Sequence, residues 1–267
     1  MTSSTRDAAL LGGQPIKLFR ITRGVLSWFY TNADRTIVYG GDTYLPAAIA
    51  HDKITDGGEQ QKRTINITLP KTLAVADNWR PYPPSDPIAI TIWTQHYGET
   101  DYLVDWIGRL LAPVFDDTKL TLTSEPSQTR NKRGGRSGCW QRGCPLVLFF
   151  CGVSKAAHAL PATLTGVAGL VLTAAEFGTL PSGRLNGGWI EWTRTDGLLE
   201  RRSINAHSGT SITVLYGAAD IATGLAVTAY PGCAGTFADC TYFANTDNFG
   251  GELYIPGRDY YDGNPVR

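Results

Sequence analysis

Arg63-Thr64-Ile65-Asn66-Ile67-Thr68-Leu69 alternates polar and apolar side chains for seven residues. Successive side chains of a strand point to opposite faces, so this period of two puts Ile65, Ile67 and Leu69 on one buried face and predicts a half-buried β-strand. Lys119-Leu120-Thr121-Leu122-Thr123 repeats the pattern and is expected to close the first module. On either side, short β-rich bursts occupy residues 16–20, 36–39, 43–45, 88–93 and 103–110. Most are split by turn dipeptides such as Gly40-Gly41, Gly57-Gly58 and Pro83-Pro84. Strands at this spacing predict a mainly β fold of barrel or sandwich modules. Before residue 130 one segment, 71–79, has a helical pattern, with Leu73 and Ala76 following a proline, and predicts a short helix.

Composition agrees with that reading. Thirty glycines, fifteen prolines, seven tryptophans and twelve tyrosines against one methionine describe a turn-rich chain packed on aromatic and β-branched side chains. Hydrophobic residues make up 42% and charged ones 18%, far from the signature of disorder. At 267 residues the chain is expected to hold two or three domains. Twenty-four basic residues balance twenty-four acidic ones, so no global field gathers nucleic acid or an anionic membrane. No secretion signal is visible at the N-terminus. The longest apolar stretches, 145–153 and 167–175, fall short of the roughly 20 residues that span a bilayer. A soluble product made in the cytoplasm, without stable membrane insertion, is expected.

After residue 127 the composition changes. Gln128-Thr129-Arg130-Asn131-Lys132-Arg133-Gly134-Gly135-Arg136-Ser137-Gly138 has four positive charges, three glycines and no apolar side chain. It reads as a boundary. Beyond it, Trp189-Ile190-Glu191-Trp192-Thr193-Arg194 and Arg201-Arg202-Ser203-Ile204 flank Thr195-Asp196-Gly197, a hairpin signal, and further strands are expected at 211–215 and 225–229. The organisation expected is a barrel-like module over 1–127, a basic linker with a first cysteine loop over 128–153, a small β-module over 154–230, and a second cysteine loop with an aromatic tail over 231–267.

Five cysteines fall in two clusters, and two pairs share a spacing, Cys144-x6-Cys151 and Cys233-x6-Cys240, with about eighty residues between the pairs. The chain leaves a site, builds a module and returns with matching spacing. Four thiolates from two such loops can surround a metal centre. Structural zinc usually takes tighter Cys-x2-4-Cys knuckles, so six intervening residues suit an iron–sulfur cluster better. Disulfides and buried free thiols remain alternatives on spacing. Turn residues flank the cysteines in Arg142-Gly143-Cys144-Pro145, Cys151-Gly152 and Gly232-Cys233-Ala234-Gly235, as expected where backbone amides approach cluster sulfurs.

Three groups of residues carry a resemblance. The first is Trp140-Gln141-Arg142-Gly143-Cys144-Pro145-Leu146 leading to Cys151-Gly152-Val153. The second is Gly232-Cys233-Ala234-Gly235-Thr236-Phe237-Ala238-Asp239-Cys240, followed by Asn248-Phe249-Gly250-Gly251 and Ile255-Pro256-Gly257-Arg258-Asp259. In the N-terminal half stand Tyr39-Gly40-Gly41-Asp42-Thr43-Tyr44, Ile65-Asn66-Ile67-Thr68-Leu69-Pro70 and Ile90-Thr91-Ile92-Trp93. In order and spacing the chain resembles a family of siphophage tail-tip proteins that also supplies the hub protein of bacterial gene transfer agents.

The resemblance implies a baseplate-hub role in a virion tail tip assembled in the host cytoplasm. It implies a homotrimeric ring, with the distal tail protein, the tape measure and a central fibre or receptor-binding protein as partners. It also implies an iron–sulfur cluster, of [4Fe-4S] type, on Cys144, Cys151, Cys233 and Cys240, and leaves Cys139 outside the ligand set. Zinc, or no metal at all, is the alternative. Where the family often has a loop with tyrosine and glycine, this chain has Pro145-Leu146-Val147-Leu148-Phe149-Phe150, an apolar loop able to shield a cluster.

Enzymatic motifs are missing. His51, His96, His158 and His207 have no metal-binding spacing and are expected to be surface or satisfied core histidines. No Gly-x-Ser-x-Gly elbow and no phosphate-binding glycine loop occurs. Asp116-Asp117, and Asp259 with Asp262, invite a glycosidase reading, which would make the chain a tail-associated wall hydrolase; solvated turn formers are the expectation. The basic run over 130–142 is expected to be a solvated linker without specific nucleic-acid binding. The chain is accordingly read as structural, not enzymatic, with a zinc- or disulfide-stabilised adaptor as a further alternative.

Overall fold

A computed structural model describes residues 15–54, 64–96, 101–127 and 140–255. The fold is mainly β, and the chain divides into two compact units, Met1–Gly134 and Gly135–Arg267.

The first unit holds nine strands: β1 (Pro15–Arg23), β2 (Leu26–Thr31), β3 (Ile37–Tyr39), β4 (Asp42–Pro46), β5 (Ala50–His51), β6 (Ile65–Pro70), β7 (Ile88–His96), β8 (Leu103–Phe115) and β9 (Lys119–Pro126). They form one sheet in the order β3-β4-β2-β1-β7-β8-β9-β6-β5, a half-barrel. The two alternating segments that point to the fold are neighbours in it. β6 and β9 run antiparallel with Ile67 opposite Leu122 and Leu69 opposite Leu120. Ile65, Ile67 and Leu69 are almost fully buried, as their period of two requires. Each such side chain contributes about 1.5–3 kcal/mol by leaving water. They join Phe19, Ile21, Ile90 and Ile92 in one core.

The expected helix over 71–79 is a 3-10 turn, Ala74–Trp79. No side chain caps its start, and the turn is held by what it buries. Val75, Ala76 and Trp79 are buried in the core of the first unit. Leu26–Thr31 is a strand that the pattern does not signal, because Ser27-Trp28-Phe29-Tyr30 lacks alternation. It forms by folding back on β1 across Gly24, whose φ of +56° turns the chain. Asp116 and Asp117 sit exposed in the β8–β9 turn, where Asp116 Oδ1 accepts the Asp117 N–H at 2.8 Å. They are turn formers.

The second unit carries β10 (Leu160–Thr163), β11 (Gly166–Ala168), β12 (Val171–Thr173), β13 (Trp189–Thr193), β14 (Leu199–Ser208), β15 (Ser211–Val214) and β16 (Ala226–Tyr230), in the order β10-β16-β13-β14-β15-β12-β11. β13 and β14 make the expected hairpin around Gly197, at φ +80°. Phe177, Leu185, Ile190, Ile204 and Ala229 build a separate core. A buried ion pair lies along β14, Arg202 Nη1 donating to Glu200 Oε2 at 2.9 Å, while Arg202 Nε donates to the Gly217 carbonyl at 3.0 Å. His207 is a satisfied core histidine, as expected. Its Nδ1 accepts the Leu185 N–H at 3.5 Å and its Nε2 lies 2.9 Å from the Gly209 carbonyl.

Candidate metal centre

The two cysteine loops both belong to the second unit, and they pair directly. The Cys144 N–H donates to the Gly235 carbonyl at 2.7 Å. Gly235 stands at φ +70°, and a Cβ there would approach the Cys144 carbonyl to 3.0 Å, so glycine is what lets the loops approach. A third segment lies along the first loop: the Glu252 N–H donates to the Gln141 carbonyl at 2.9 Å, and Arg142 Nε donates to the Ile255 carbonyl at 2.7 Å.

The second loop ends in the only α-helix among the described residues, α1 (Phe237–Tyr242). Thr236 caps it, its Oγ1 accepting the Asp239 N–H at 3.2 Å. Asp239 in turn accepts the Ala234 N–H at 2.6 Å, which bends the loop around Cys233 and presents Cys240 from the first turn.

Two ion pairs fasten the loops to the rest of the second unit. Arg184 Nη1 donates to Asp239 Oδ1 at 2.8 Å, its Nη2 donates to the Gly232 carbonyl at 3.0 Å, and its guanidinium lies over the Tyr242 ring at 4.0 Å. On the other side, Lys155 binds both oxygens of Glu191 at 3.0 and 2.9 Å and lies 4.4 Å from the Tyr230 ring centre. Tyr230 donates its hydroxyl to Glu191 at 2.8 Å, and Trp189 stacks on Tyr230. Asp239 stands in the second cysteine signature, but no motif signals Arg184, Lys155 or Glu191 as its partners in holding the loops. The only sequence cue for Lys155 is position, four residues after Cys151.

Burial alone would raise the Glu191 carboxyl, but the Lys155 ammonium and the Tyr230 and Trp189 donors outweigh it and hold its pKa below the ordinary value. A carboxylate depressed in the folded state stabilises above its unfolded pKa, and that stability is lost as pH falls through the folded pKa. Acid titration of unfolding should therefore show the second unit weakening below the ordinary carboxylate range. Glu191→Gln should flatten that limb and cost about 2 kcal/mol at neutral pH.

The structure brings Cys144, Cys151, Cys233 and Cys240 into one neighbourhood, all as free cysteines. Backbone and amide donors face the sulfurs: the Gly250 N–H points at Cys144 Sγ at 3.3 Å, the Gly235 N–H at Cys233 Sγ at 3.4 Å, and Asn245 Nδ2 at Cys151 Sγ at 3.5 Å. Burial pushes the Cys233 and Cys240 thiols up, and the other cysteines push Cys240 further. Among the described residues no three His, Cys, Asp or Glu side chains are grouped to hold a single metal ion.

The apolar loop covers the site in part. Leu146 packs where a Cβ on Gly250 would stand, and Phe149 meets Trp189 edge to face, whereas Phe150 is 88% exposed. Cys139, Asp259, Asp262 and nearly all of the basic run over 130–142 lie outside the described residues.

Residues 183–259 match a family described as phage conserved hypothetical protein BR0599, a span that includes Arg184, Cys233, Asp239, Cys240 and Asn245. An uncharacterized protein of Xylella fastidiosa (strain 9a5c) is 35% identical over 175 residues, 59% of this chain; the match spans 36% of that relative's length. Among solved structures, a chain of the virion of a native gene transfer agent particle superposes with a TM-score of 0.76 at 18% identity, covering 99% of this chain and 95% of that one. The fold of the two proteins is shared.

Proposed function

We propose that this chain is a structural component of a phage or phage-like virion, a hub of the tail tip in which an iron–sulfur cluster on Cys144, Cys151, Cys233 and Cys240 staples the second unit. The observation that carries the cluster reading is the convergence of two x6 cysteine loops with N–H donors aimed at three of the four sulfurs. Hydrogen bonds to sulfur are the surroundings that tune iron–sulfur centres. A cluster spreads its thiolates more widely than one tetrahedral ion does. The x6 spacing favours it over zinc, whose structural sites usually take tighter Cys-x2-4-Cys knuckles. When bound, the cluster would supply four iron–thiolate bonds closing loops of about eighty residues.

The tail-tip reading is supported by the phage family match over the second cysteine loop and by the shared fold with the gene transfer agent chain. By the same reading the chain forms a trimeric ring, in contact with the distal tail protein, the tape measure and a central fibre. The role is structural. Purified particles should contain the chain at three copies per tail, and antibodies should label the distal end. Particles lacking the chain, or a purified chain that hydrolyses cell wall, would overturn the proposal.

A further inference from the structure

We infer that Asn245 is the positioning residue that holds the two cysteine loops in register before any ion binds. Its Nδ2 amide donates to the Cys151 carbonyl at 3.0 Å and reaches Cys151 Sγ at 3.5 Å, across 94 residues of sequence. Its backbone serves the other loop. The Asn245 N–H donates to the Cys240 carbonyl at 3.0 Å, and its own carbonyl accepts the Cys240 S–H at 3.3 Å. One residue thereby touches one cysteine from each loop.

The amide cannot turn freely. Asn248 Nδ2 donates to Asn245 Oδ1 at 2.7 Å, which commits the oxygen to Asn248 and leaves the Nδ2 hydrogens for Cys151. The first loop runs close against this pair: a Cβ on Gly152 would stand 3.2 Å from Asn248 Nδ2, and Gly152 has φ +98°. The side chain therefore acts on the first loop and the main chain on the second, so side-chain substitutions should release Cys151 while leaving Cys240 in place. A loop ordered in advance loses less conformational freedom when its ligands are engaged. This inference rests on the cluster reading for cofactor loading alone; the register is a property of the chain itself.

The test uses the full chain, stripped of metal under reductant, in wild-type, Asn245→Ala, Asn245→Asp and Asn248→Ala forms. Iodoacetamide labelling is followed by peptide mass at Cys151 and Cys233. Asn245→Asp keeps the volume and the acceptor for Asn248 but loses the donor, so it separates the contact from mere packing. Cys151 should label about tenfold faster in Asn245→Ala, by less in Asn245→Asp, whose carboxylate disfavours the Cys151 thiolate, and by a smaller factor in Asn248→Ala, while Cys233 should be unchanged. Anaerobic loading with ferrous iron and sulfide should be slower by a similar factor in the Asn245 variants, with the visible circular dichroism of the loaded site altered. Equal Cys151 labelling in wild type and both Asn245 variants would overturn the inference, whether or not the wild type loads. If Cys151 labelling responds but the wild type takes up no iron and sulfide, the register stands and the cluster reading falls.

Discussion

Cys240→Ser is expected to yield protein with no bound iron or acid-labile sulfide and with faster amide exchange in the cysteine loops over 140–153 and 231–255. Cys240 is the buried member of the set, placed by a helix whose Asp239 is tied to Arg184. A hydroxyl there supplies a poor ligand for iron and leaves three thiolates facing a centre that needs four. Structural metal–thiolate sites return their binding energy as folding energy, about 10–16 kcal/mol for zinc in small peptides, which is as large as the whole stability of an ordinary domain, about 5–15 kcal/mol. Losing it should loosen the cysteine loops, while the sheet of the second unit keeps the protection of its own core of Phe177, Leu185, Ile190 and Ala229. The first unit, with its own core of Phe19, Ile67, Ile92 and Leu122, should keep its exchange protection. Hydrogen exchange resolved by peptide distinguishes these outcomes, and unchanged protection over 140–153 and 231–255 would mean that no cofactor energy is stored there.

Gly232→Ala is expected to be nearly as damaging, for a different reason. A Cβ on Gly232 would stand 1.9 Å from the Asn186 carbonyl oxygen and 2.8 Å from both Gly187 C and Gly188 N. These are backbone atoms, and they are pinned: the Gly187 N–H donates to the Ile204 carbonyl at 3.0 Å and the Ile204 N–H to the Gly188 carbonyl at 2.9 Å. The relation is reciprocal, since a Cβ on Gly188 would meet the Tyr230 carbonyl oxygen at 2.0 Å. Relief requires moving the 231–233 segment away from the start of β13, and Cys233 moves with it. We expect a loss of about 3 kcal/mol and failure to retain the cofactor. Gly143→Ala is the matched control, next to Cys144, where the added Cβ meets the Gly235 carbonyl oxygen at an ordinary 3.7 Å. It should fold and load like the wild type. Thermal unfolding and iron content of the two variants decide between backbone crowding and a general intolerance of substitution beside the cysteines.

The β-architecture was readable wherever one face of a strand is wet and the other dry, because alternation in Ile65-Asn66-Ile67-Thr68-Leu69 records that asymmetry directly. It failed at Leu26–Thr31, where Trp28, Phe29 and Tyr30 follow one another and pairing with β1, not periodicity, makes the strand. It was partial at Ala74–Trp79, where no side chain caps the start and the burial of Trp79 holds a 3-10 turn. At the candidate site the repeated x6 spacing and the flanking glycines pointed to the four cysteines, since local turns must be written locally. Arg184, Lys155, Glu191 and Asn245 were not legible. Each acts through a partner 36 to 94 residues away, and single charged or amide side chains in loops carry no pattern of their own.

Iron and acid-labile sulfide analysis of the anaerobically purified full chain decides whether Cys144, Cys151, Cys233 and Cys240 together hold an iron–sulfur cluster. Brown protein with about four iron and four sulfide per chain, lost together in Cys240→Ser, is expected. Colourless protein carrying one zinc, or two disulfides and no metal, would contradict it.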